Sequence, residues 1–320
     1  MANDLKNIRV LKDRNEIDRD NYNYQTYIEI LKATGYRRSD VADANKLIKV
    51  FNDTRKLSNT KFKRETEELI NNAKVYSNIL LINKNDKCSD AIFIFDGTLE
   101  VSNYLSRYYK VAALNFADGI KPGGLPEYGC LTQEENICRC SNMYEALISD
   151  KCDRGYYQVN KDNYNDGLCT DTVIYLPNVT IFKDDRDYKP INFKQNDKTI
   201  DITRYDIITC PAPFCYFDNK KDALRVYERR IEQIILSAIK NNVECLVLGA
   251  WGCGAFRQDK SLISKAFVDV LNDYSGYFKE IGFAIKDTPS IKEYDTFDIF
   301  VEAFKDYRGP IYSLEYKWNY

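Results

Sequence analysis

Six short apolar runs recur along the chain from about residue 79, and segments with helical amphipathic spacing separate them. The runs are 91–95, 110–116, 172–176, 205–210, 244–250 and 281–286. Several contain no polar interruption, which is typical of strands that are buried on both faces of a sheet. The helical candidates between them are 99–109, 134–147, 222–242 and 261–274. This alternation predicts an α/β sandwich around a largely parallel sheet.

The first 78 residues have a different pattern. They are polar and mostly helical in spacing, with helices expected over 24–36 and 60–76 and no convincing strand. We therefore expect a helical extension, residues 1–78, packed on a main domain, residues 79–320. Within that domain, residues 150–170 are polar and rich in turn formers, which predicts an insertion or a long loop.

Charge and hydropathy limit the partners. The net charge of −2 gives no long-range attraction to nucleic acid, and no basic run is present, so nucleic acid is an unexpected ligand. Residues 1–20 lack the apolar core of a signal peptide. No apolar stretch approaches the roughly 18–20 residues that a membrane helix needs. We expect a soluble, cytoplasmic protein with no membrane partner.

The absence of histidine removes several kinds of catalytic site. Ser-His-Asp triads, Cys-His pairs and His-ligated zinc are excluded, so proton transfer falls to Asp, Glu, Lys, Tyr or Cys. Five cysteines crowd one region: Cys130, Cys138, Cys140, Cys152 and Cys169. They form no paired Cys-x-x-Cys motifs, so separate buried thiols are favoured over a four-thiolate zinc site. We expect neither a metal nor a cofactor.

The loop after the second apolar run carries polar side chains near a glycine turn. Asn115 stands near the strand end, Gly123 and Gly124 allow close backbone approach, and Gln133–Glu135 follow where a helix should begin. The amide of Asn115 offers a donor and an acceptor to a pair of sugar hydroxyls. The two glutamates have two interpretations. Acidic residues favour the first turn of any helix, and a carboxyl pair beside a sugar also suits acid catalysis.

A second glycine-rich loop follows the run at 244–250. Three glycines fall within six residues before the next helix, an arrangement that points backbone N–H groups at an anion, usually a phosphate. The loop matches neither the Walker motif nor the dinucleotide-binding G-x-G-x-x-G pattern. Its aromatic residues belong either to the core or to a stacking surface for a base or ribose. The candidate binding residues are Gly249, Ala250, Trp251, Gly252, Cys253, Gly254, Ala255 and Phe256.

Together the two loops suit a ligand that joins a sugar, a diphosphate and a nucleoside. The segments "VAALNFADGIKPGG", "QEENICRCSNMY" and "LVLGAWGCGAFRQD" resemble the microbial-type poly(ADP-ribose) glycohydrolases (PARGs), which have a macrodomain core. The family spacing is intact, because seven residues separate Pro122-Gly123-Gly124-Leu125 from Gln133-Glu134-Glu135. The resemblance covers nearly the whole chain.

This resemblance implies a macrodomain-like three-layer α/β/α sandwich with a mixed central sheet, and residues 79–320 as the catalytic domain. It implies Glu135 as the catalytic acid and Glu134 as the residue that holds the distal ribose. Asn115, Gly123, Gly124 and Gln133 would bind near that ribose, and residues 249–256 would bind the diphosphate.

The implied reaction is hydrolysis of the ribose–ribose O-glycosidic bonds of poly(ADP-ribose), or of ADP-ribose–protein bonds. Glu135 would protonate the departing oxygen and then activate a water. The implied partners are ADP-ribose, poly(ADP-ribose) or ADP-ribosylated protein. The alternative is a macrodomain that binds ADP-ribose or a related nucleotide signal without cleaving it.

The chain departs from the family pattern at three positions. Leu125 replaces the third glycine of the triplet, at the mouth of the expected ribose site. Phe214 replaces the Asn that usually ends a Pro-Ala-Pro-Asn segment, and Gly97 stands where an acidic residue is common. The first departure affects how the substrate would fit at the distal ribose. The other two affect how the adenosine end of the ligand would be held.

Overall fold

An eight-stranded mixed sheet forms the centre of the protein. The computed structural model describes residues 10–11, 41–80, 82–165, 167–190, 194–195, 198–199, 202–286 and 296–314. In chain order, the strands of the central sheet are β1 (Lys74–Tyr76), β2 (Asp90–Ile94), β3 (Val111–Phe116), β4 (Val173–Ile181), β5 (Thr203–Cys210), β6 (Cys245–Gly249), β7 (Glu280–Ala284) and β8 (Ile311–Leu314).

The spatial order of the strands is β8-β2-β7-β6-β3-β5-β4-β1. The strands from β8 to β5 pair in parallel, while β4 pairs antiparallel with β5 and β1 antiparallel with β4. All parallel strands end at one edge of the sheet, so the loops that follow β3, β5 and β6 lie together there.

Helices cover both faces of this sheet. The longer ones are α1 (Val41–Asn59), α2 (Lys63–Asn72), α3 (Thr98–Leu105), α4 (Gln133–Cys140), α5 (Met143–Leu147), α6 (Lys220–Lys240), α7 (Lys260–Tyr274) and α8 (Thr296–Ala303). Side chains of α6–α8 share one apolar core with one face of the sheet. Side chains of α1–α5 share a second core with the opposite face. The predicted three-layer α/β/α arrangement with a mixed sheet is confirmed.

All six predicted strands are present, with bounds shifted by a few residues at some ends. The predicted helix over 60–76 ends earlier, at Asn72, because Lys74–Tyr76 pairs with β4 as an edge strand. Two further short strands, 10–11 and 216–217, pair with each other. The expectation that the N-terminal region contains no strand was therefore wrong for 10–11 and 74–76.

The region predicted as an insertion or long loop is largely helical. Residues 150–162 form three consecutive helical pieces, Asp150–Cys152, a π-helical turn Asp153–Tyr157, and Gln158–Asp162. The polar composition concealed this element because its core contacts come from few residues, among them Tyr156 and Tyr157, which are both fully buried. A loop interpretation was thus wrong for the first two thirds of the region.

The described part of the N-terminal extension packs closely on the main domain. The Thr54 hydroxyl donates to the carbonyl oxygen of Arg139, and the ring of Phe62 stacks on Phe182 with centroids 4.5 Å apart. The helix predicted over 24–36 lies outside the described residues, and the domain boundary at residue 78 stays a prediction. None of the helices in the described ranges is long and apolar enough to cross a membrane.

Candidate active site

The two loops singled out in the sequence meet at the carboxyl edge of the sheet. The Pro-Gly-Gly loop, residues 117–125, follows β3, and the Trp-Gly loop, residues 249–256, begins at the end of β6. The start of the Trp-Gly loop contacts the end of β3, since a Cβ at Gly249 would lie 2.9 Å from Cζ of Phe116. The segment after β5 contacts both loops, because Pro211 packs on Gly119 and Ala212 packs on Gly252.

Asn115 and Glu134 are hydrogen-bonded inside the site. Asn115 lies at the end of β3 with no exposed surface, and its Nδ2 donates to Glu134 Oε1 at 3.0 Å and to Thr209 Oγ1 at 3.2 Å. The backbone N–H of Asp118 donates to the second oxygen, Glu134 Oε2, at 2.7 Å. Glu134, which is only 2% exposed, therefore has a donor on each carboxylate oxygen.

The side-chain amide oxygen of Asn115 makes no hydrogen bond to the part of the protein that the structure describes. Asn115 Oδ1 is buried and has no hydrogen-bond partner within the described chain. Buried polar atoms in proteins are nearly always satisfied by protein, water or ligand. This acceptor is therefore available to a hydroxyl group of a ligand or to an ordered water.

Gln133 ties the start of α4 to the end of β3. Its Oε1 accepts from the Phe116 N–H at 2.8 Å, and its Nε2 donates to the carbonyl oxygen of Leu114 at 2.8 Å. The same Nε2 also lies 3.1 Å from the hydroxyl oxygen of Thr98. The side chain thus completes the backbone hydrogen bonding of β3 and fixes the position of the two glutamates that follow.

Glu135 faces the Pro-Gly-Gly loop. Its Oε1 accepts from the Leu125 N–H at 3.0 Å, and its Oε2 accepts from the hydroxyl of Thr132. Thr132 and Glu135 have the Thr-x-x-Glu spacing of a capping box, in which the two side chains would instead bind backbone N–H groups of the helix. No side-chain cap bond is formed here, so the first-turn acids are directed at the loop rather than at the helix start.

The two glycines of the loop make room for both carboxylates. Gly123 and Gly124 adopt φ values of +72° and +71°, a conformation that disfavours residues with a Cβ. A Cβ at Gly124 would lie 2.4 Å from Glu135 Oε1 and 3.3 Å from Glu134 Oε2. Both acids therefore reach the same side of Gly124. A Cβ at Gly123 would meet the ring of Tyr144 at 2.7 Å.

Leu125 is compatible with this backbone. Its φ of −129° is ordinary for a residue with a side chain, and its N–H is the group that binds Glu135. The third position of the triplet therefore needs no glycine to support the fold of the loop. Its side chain is half-buried.

Burial changes the protonation of Glu134. The pKa of Glu134 is raised well above its usual range, chiefly because the carboxylate is desolvated and secondly because the Glu135 charge is close. The hydrogen bonds from Asp118 and Asn115 oppose this shift by stabilising the ionised form. Glu134 thus holds a proton more strongly than an exposed glutamate does.

The Trp-Gly loop differs in how its backbone is used. Within the described ranges, the N–H groups of Gly254, Ala255 and Phe256 donate to no protein acceptor. Gly252 adopts a φ of +78°, and a Cβ at Gly254 would have no atom within 4 Å. Free N–H groups beside an open surface are suited to bind an anion such as a phosphate.

The aromatic residues of this loop have separate roles. The indole of Trp251 is fully buried, and its Nε1 donates to the carbonyl oxygen of Cys210 at 3.0 Å. Of the two interpretations left open by the sequence, the core role therefore holds for this ring. Phe256 is half-buried and contacts Phe214 edge-to-face, with centroids 4.8 Å apart. Cys253 and Ala250 are also half-buried.

Sequence reasoning missed several groups that complete the site. They are the Thr209 hydroxyl, the Thr132 hydroxyl and the backbone N–H of Asp118. Thr209 stands beside Asn115 in the register of β5 with β3, which no local pattern reveals. Thr132 could have been found from its capping-box spacing with Glu135. Among the described residues, no group of three or more Cys, Asp or Glu side chains is arranged to hold a metal ion.

Comparison with known proteins agrees with this geometry. Residues 44–184 match the family described as microbial-type PARG, catalytic domain. This confirms the resemblance seen in the sequence. The matched residues include the Pro-Gly-Gly loop and both glutamates, whereas the Trp-Gly loop lies outside them. No curated protein sequence matches the chain.

Solved structures of bacterial PARGs have a similar fold. The Deinococcus radiodurans PARG in complex with ADP-ribose is 25% identical, with a TM-score of 0.61, and the match covers 75% of this chain and 96% of that chain. The Thermomonospora curvata PARG is 22% identical, with a TM-score of 0.69, over 81% of this chain and 100% of that chain. The latter enzyme bound to the inhibitor ADP-HPD gives a TM-score of 0.67. The macrodomain-like fold is thus shared with these enzymes.

Proposed function

We propose that the protein is an ADP-ribose glycohydrolase. The observation that carries this proposal is the buried pair Glu134 and Glu135, whose carboxylates converge on Gly124 in a chain that matches the PARG catalytic domain. Support comes from the PARG of similar fold that binds ADP-ribose. We further propose that the substrate is poly(ADP-ribose) or an ADP-ribosylated protein. We also propose that the protein acts on this substrate in the cytoplasm.

The distal ribose would lie over the Pro-Gly-Gly loop. There the unpartnered Asn115 Oδ1 can accept from a ribose hydroxyl, and the Glu134 carboxylate can accept from a second one. The diphosphate would lie against the free N–H groups of the Trp-Gly loop. The edge-to-face pair of Phe214 and Phe256 borders that loop and offers an apolar surface to the nucleoside end.

The acid pair would supply and recover one proton. Glu135 donates a proton to the departing glycosidic oxygen as the bond to the anomeric carbon breaks, and positive charge develops at that carbon. The resulting carboxylate of Glu135 then takes a proton from a water whose oxygen bonds to the anomeric carbon. The proton balance closes, because the pair returns to its starting state. Burial of Glu134, at 2% exposure, raises its pKa and favours retention of a proton at that carboxyl.

A release assay tests the proposal directly. The protein is incubated with poly(ADP-ribose) and, separately, with mono-ADP-ribosylated protein, and free ADP-ribose is measured. We expect release by the wild type, loss of release in Glu135→Gln, and retained release in the matched control Glu127→Gln, which changes an exposed glutamate on the neighbouring turn. ADP-ribose binding without release from either substrate would contradict hydrolysis and support the non-catalytic binding alternative.

A further inference from the structure

The helical segment 150–162 lies behind the Pro-Gly-Gly loop. Its π-helical turn, Asp153–Tyr157, places Tyr156 and Tyr157 next to each other in the core, with ring centroids 4.8 Å apart and both rings fully buried. π-helical turns are rare and are frequent at functional sites. The segment is therefore firmly anchored where it passes the loop.

Asn160, three residues after this turn, contacts the loop directly. Its side chain is fully buried, and its Nδ2 donates to the carbonyl oxygen of Gly119 at 2.9 Å. Its Oδ1 accepts from the Thr170 N–H at 3.0 Å and from the Thr170 hydroxyl at 2.6 Å. The orientation of the amide is unambiguous, because a backbone N–H can only donate and a carbonyl oxygen can only accept.

Gly119 has no freedom to move away from this contact. A Cβ at Gly119 would lie 2.5 Å from Cys169 Sγ and 3.1 Å from Cγ of Pro211. Both flanking residues are in turn fixed by the fully buried Arg230, whose guanidinium donates to the carbonyl oxygens of Cys169 and of Pro211. Gly119 is thus closely packed on both sides, and its carbonyl oxygen accepts a hydrogen bond from Asn160.

The next residue back along the loop is Asp118, whose N–H donates to Glu134 Oε2 at 2.7 Å. The carbonyl that Asn160 holds belongs to the Gly119–Ile120 peptide group, and the N–H of the same group donates to Asp118 Oδ1 at 2.7 Å. Asn160 and the Asp118 side chain therefore hold this peptide group from both sides, which limits the movement of Asp118 and of its backbone N–H. The hydrogen bond from Asn160 to the loop and the hydrogen bond from the loop to the acid pair form one continuous chain of contacts.

We propose that Asn160 is a positioning residue for the acid pair, acting through Gly119 and the Asp118 N–H on Glu134. This inference rests on the proposed glycohydrolase function for its catalytic consequence. It assigns the segment 150–162 a role in setting the geometry of Glu134, although no side chain of the segment is assigned to contact substrate.

The test compares Asn160→Leu with Asn163→Leu. Both change an asparagine near the end of the segment 150–162, but Asn163 lies just after it, is exposed, and its side chain donates only to the carbonyl oxygen of Val159. Amide hydrogen exchange of residues 117–125 is measured first, because it needs no turnover. We expect exchange there to be at least about tenfold faster in Asn160→Leu and unchanged in Asn163→Leu.

Turnover provides the second readout. We expect kcat to fall at least tenfold in Asn160→Leu with KM changed less than threefold. The Asp118 hydrogen bond lowers the pKa of Glu134, so its weakening should move the alkaline inflection of the kcat–pH profile to higher pH. A purely structural role would lower the amount of folded enzyme without moving that inflection.

Thr170→Val is the second variant, in case Asn160→Leu does not fold. It removes the hydroxyl that holds Asn160 Oδ1 and should give the same changes at smaller amplitude. Unchanged exchange of residues 117–125 and an unmoved inflection in a folded variant would overturn the proposal. If the wild type releases no ADP-ribose, the proposed function fails, while the exchange experiment still decides whether Asn160 holds the loop.

Discussion

The two loops at the carboxyl edge of the sheet are stabilised in opposite ways. In the Pro-Gly-Gly loop, protein groups satisfy the acid pair: Asn115 and Asp118 donate to Glu134, and Leu125 and Thr132 donate to Glu135. In the Trp-Gly loop, three consecutive N–H groups at residues 254–256 have no protein acceptor in the described structure.

The difference fits the roles that we propose for the two loops. Catalytic carboxyl groups require a fixed position and a controlled protonation state, which the free protein can provide in advance. An anion-binding loop works by offering donors that only the ligand satisfies. Substitutions in the first loop should therefore affect folding and turnover together, whereas substitutions in the second should affect ligand binding alone.

The largest effects should distinguish the two glutamates. The Asp118 N–H can only donate, so in Glu134→Gln the amide oxygen must face it and the NH2 group meets Asn115 Nδ2, a donor–donor contact that is relieved only if the Asn115 amide rotates out of its present arrangement. We expect this to lower the free energy of unfolding by about 1–3 kcal/mol and to abolish ADP-ribose release. In Glu135→Gln the Thr132 hydroxyl can rotate and accept instead. We expect turnover to fall by roughly 10²–10⁴-fold with nearly unchanged thermal stability.

Thermal melts and the release assay check this contrast. Equal destabilisation by the two substitutions would show that the donors around Glu134 are not fixed as the structure has them. Calorimetric binding of ADP-ribose adds a third readout, in which Glu135→Gln should bind and Glu134→Gln should bind weakly.

Gly124→Ala should damage the first loop through its backbone. The substitution forces a Cβ into φ +71° and within 2.4 Å of Glu135 Oε1. We expect a loss of about 1–3 kcal/mol from the backbone conformation, together with loss of turnover as Glu135 is displaced. Denaturant unfolding measures the first effect. An alanine variant as stable and active as the wild type would contradict the close approach of the acid pair to this glycine.

Gly254→Ala is the matched substitution in the second loop. The added methyl group meets nothing within 4 Å, so the free energy of unfolding should change by less than about 0.5 kcal/mol. If a diphosphate binds there, the methyl group should weaken ADP-ribose binding about tenfold, or roughly 1.4 kcal/mol. Calorimetry with ADP-ribose measures this directly. Unchanged affinity would place the diphosphate elsewhere.

The sequence predicted the parts of this site that depend on local spacing. The strands before both loops, the Gly123-Gly124 turn and the position of Glu134 and Glu135 follow from patterns within one segment. The parts it missed depend on contacts between segments that are distant in the chain. Thr209 reaches Asn115 only because β5 pairs with β3, and Asn160 reaches Gly119 across 41 residues.

The helical segment 150–162 shows why its polar composition led to the wrong prediction of a loop. Its exposed positions are charged and polar, and only four of its residues are buried: Cys152, Tyr156, Tyr157 and Asn160. Tyr156 and Tyr157 are adjacent in sequence, yet both are fully buried. Cys152, Tyr156 and Asn160 are spaced four residues apart, as on one face of a helix, but the third is polar, so a search for apolar periodicity does not recognise the segment.

Stability of the region beside the first loop should depend on pH. Burial, followed by a hydrogen bond with the nearby Asp185 carboxyl, raises the pKa of Glu100 to about 8. Between its usual value of 4.5 and about 8, the folded protein holds a proton that the unfolded chain has released. The free energy of unfolding therefore decreases as pH rises through this window and is constant above it.

Glu100→Gln removes this titration. We expect the melting temperature of the variant, relative to the wild type, to increase steadily from pH 5 to pH 8. The Asp298→Asn variant, which changes an exposed acid in α8, serves as the control for nonspecific charge effects. Parallel curves for wild type and Glu100→Gln would show that Glu100 is ionised throughout.

The smallest effect should come from Leu125→Gly, which restores the family triplet. Because Leu125 already has a φ of −129°, glycine relieves no backbone strain, and the Leu125 N–H that binds Glu135 is retained. The added chain flexibility should lower the free energy of unfolding by about 0.4–1 kcal/mol. Release of ADP-ribose should change less than about threefold, equivalent to roughly 0.7 kcal/mol. A large gain in release would instead show that the leucine side chain restricts the ribose site, and that the first loop is arranged correctly for the acids but too narrow for the sugar.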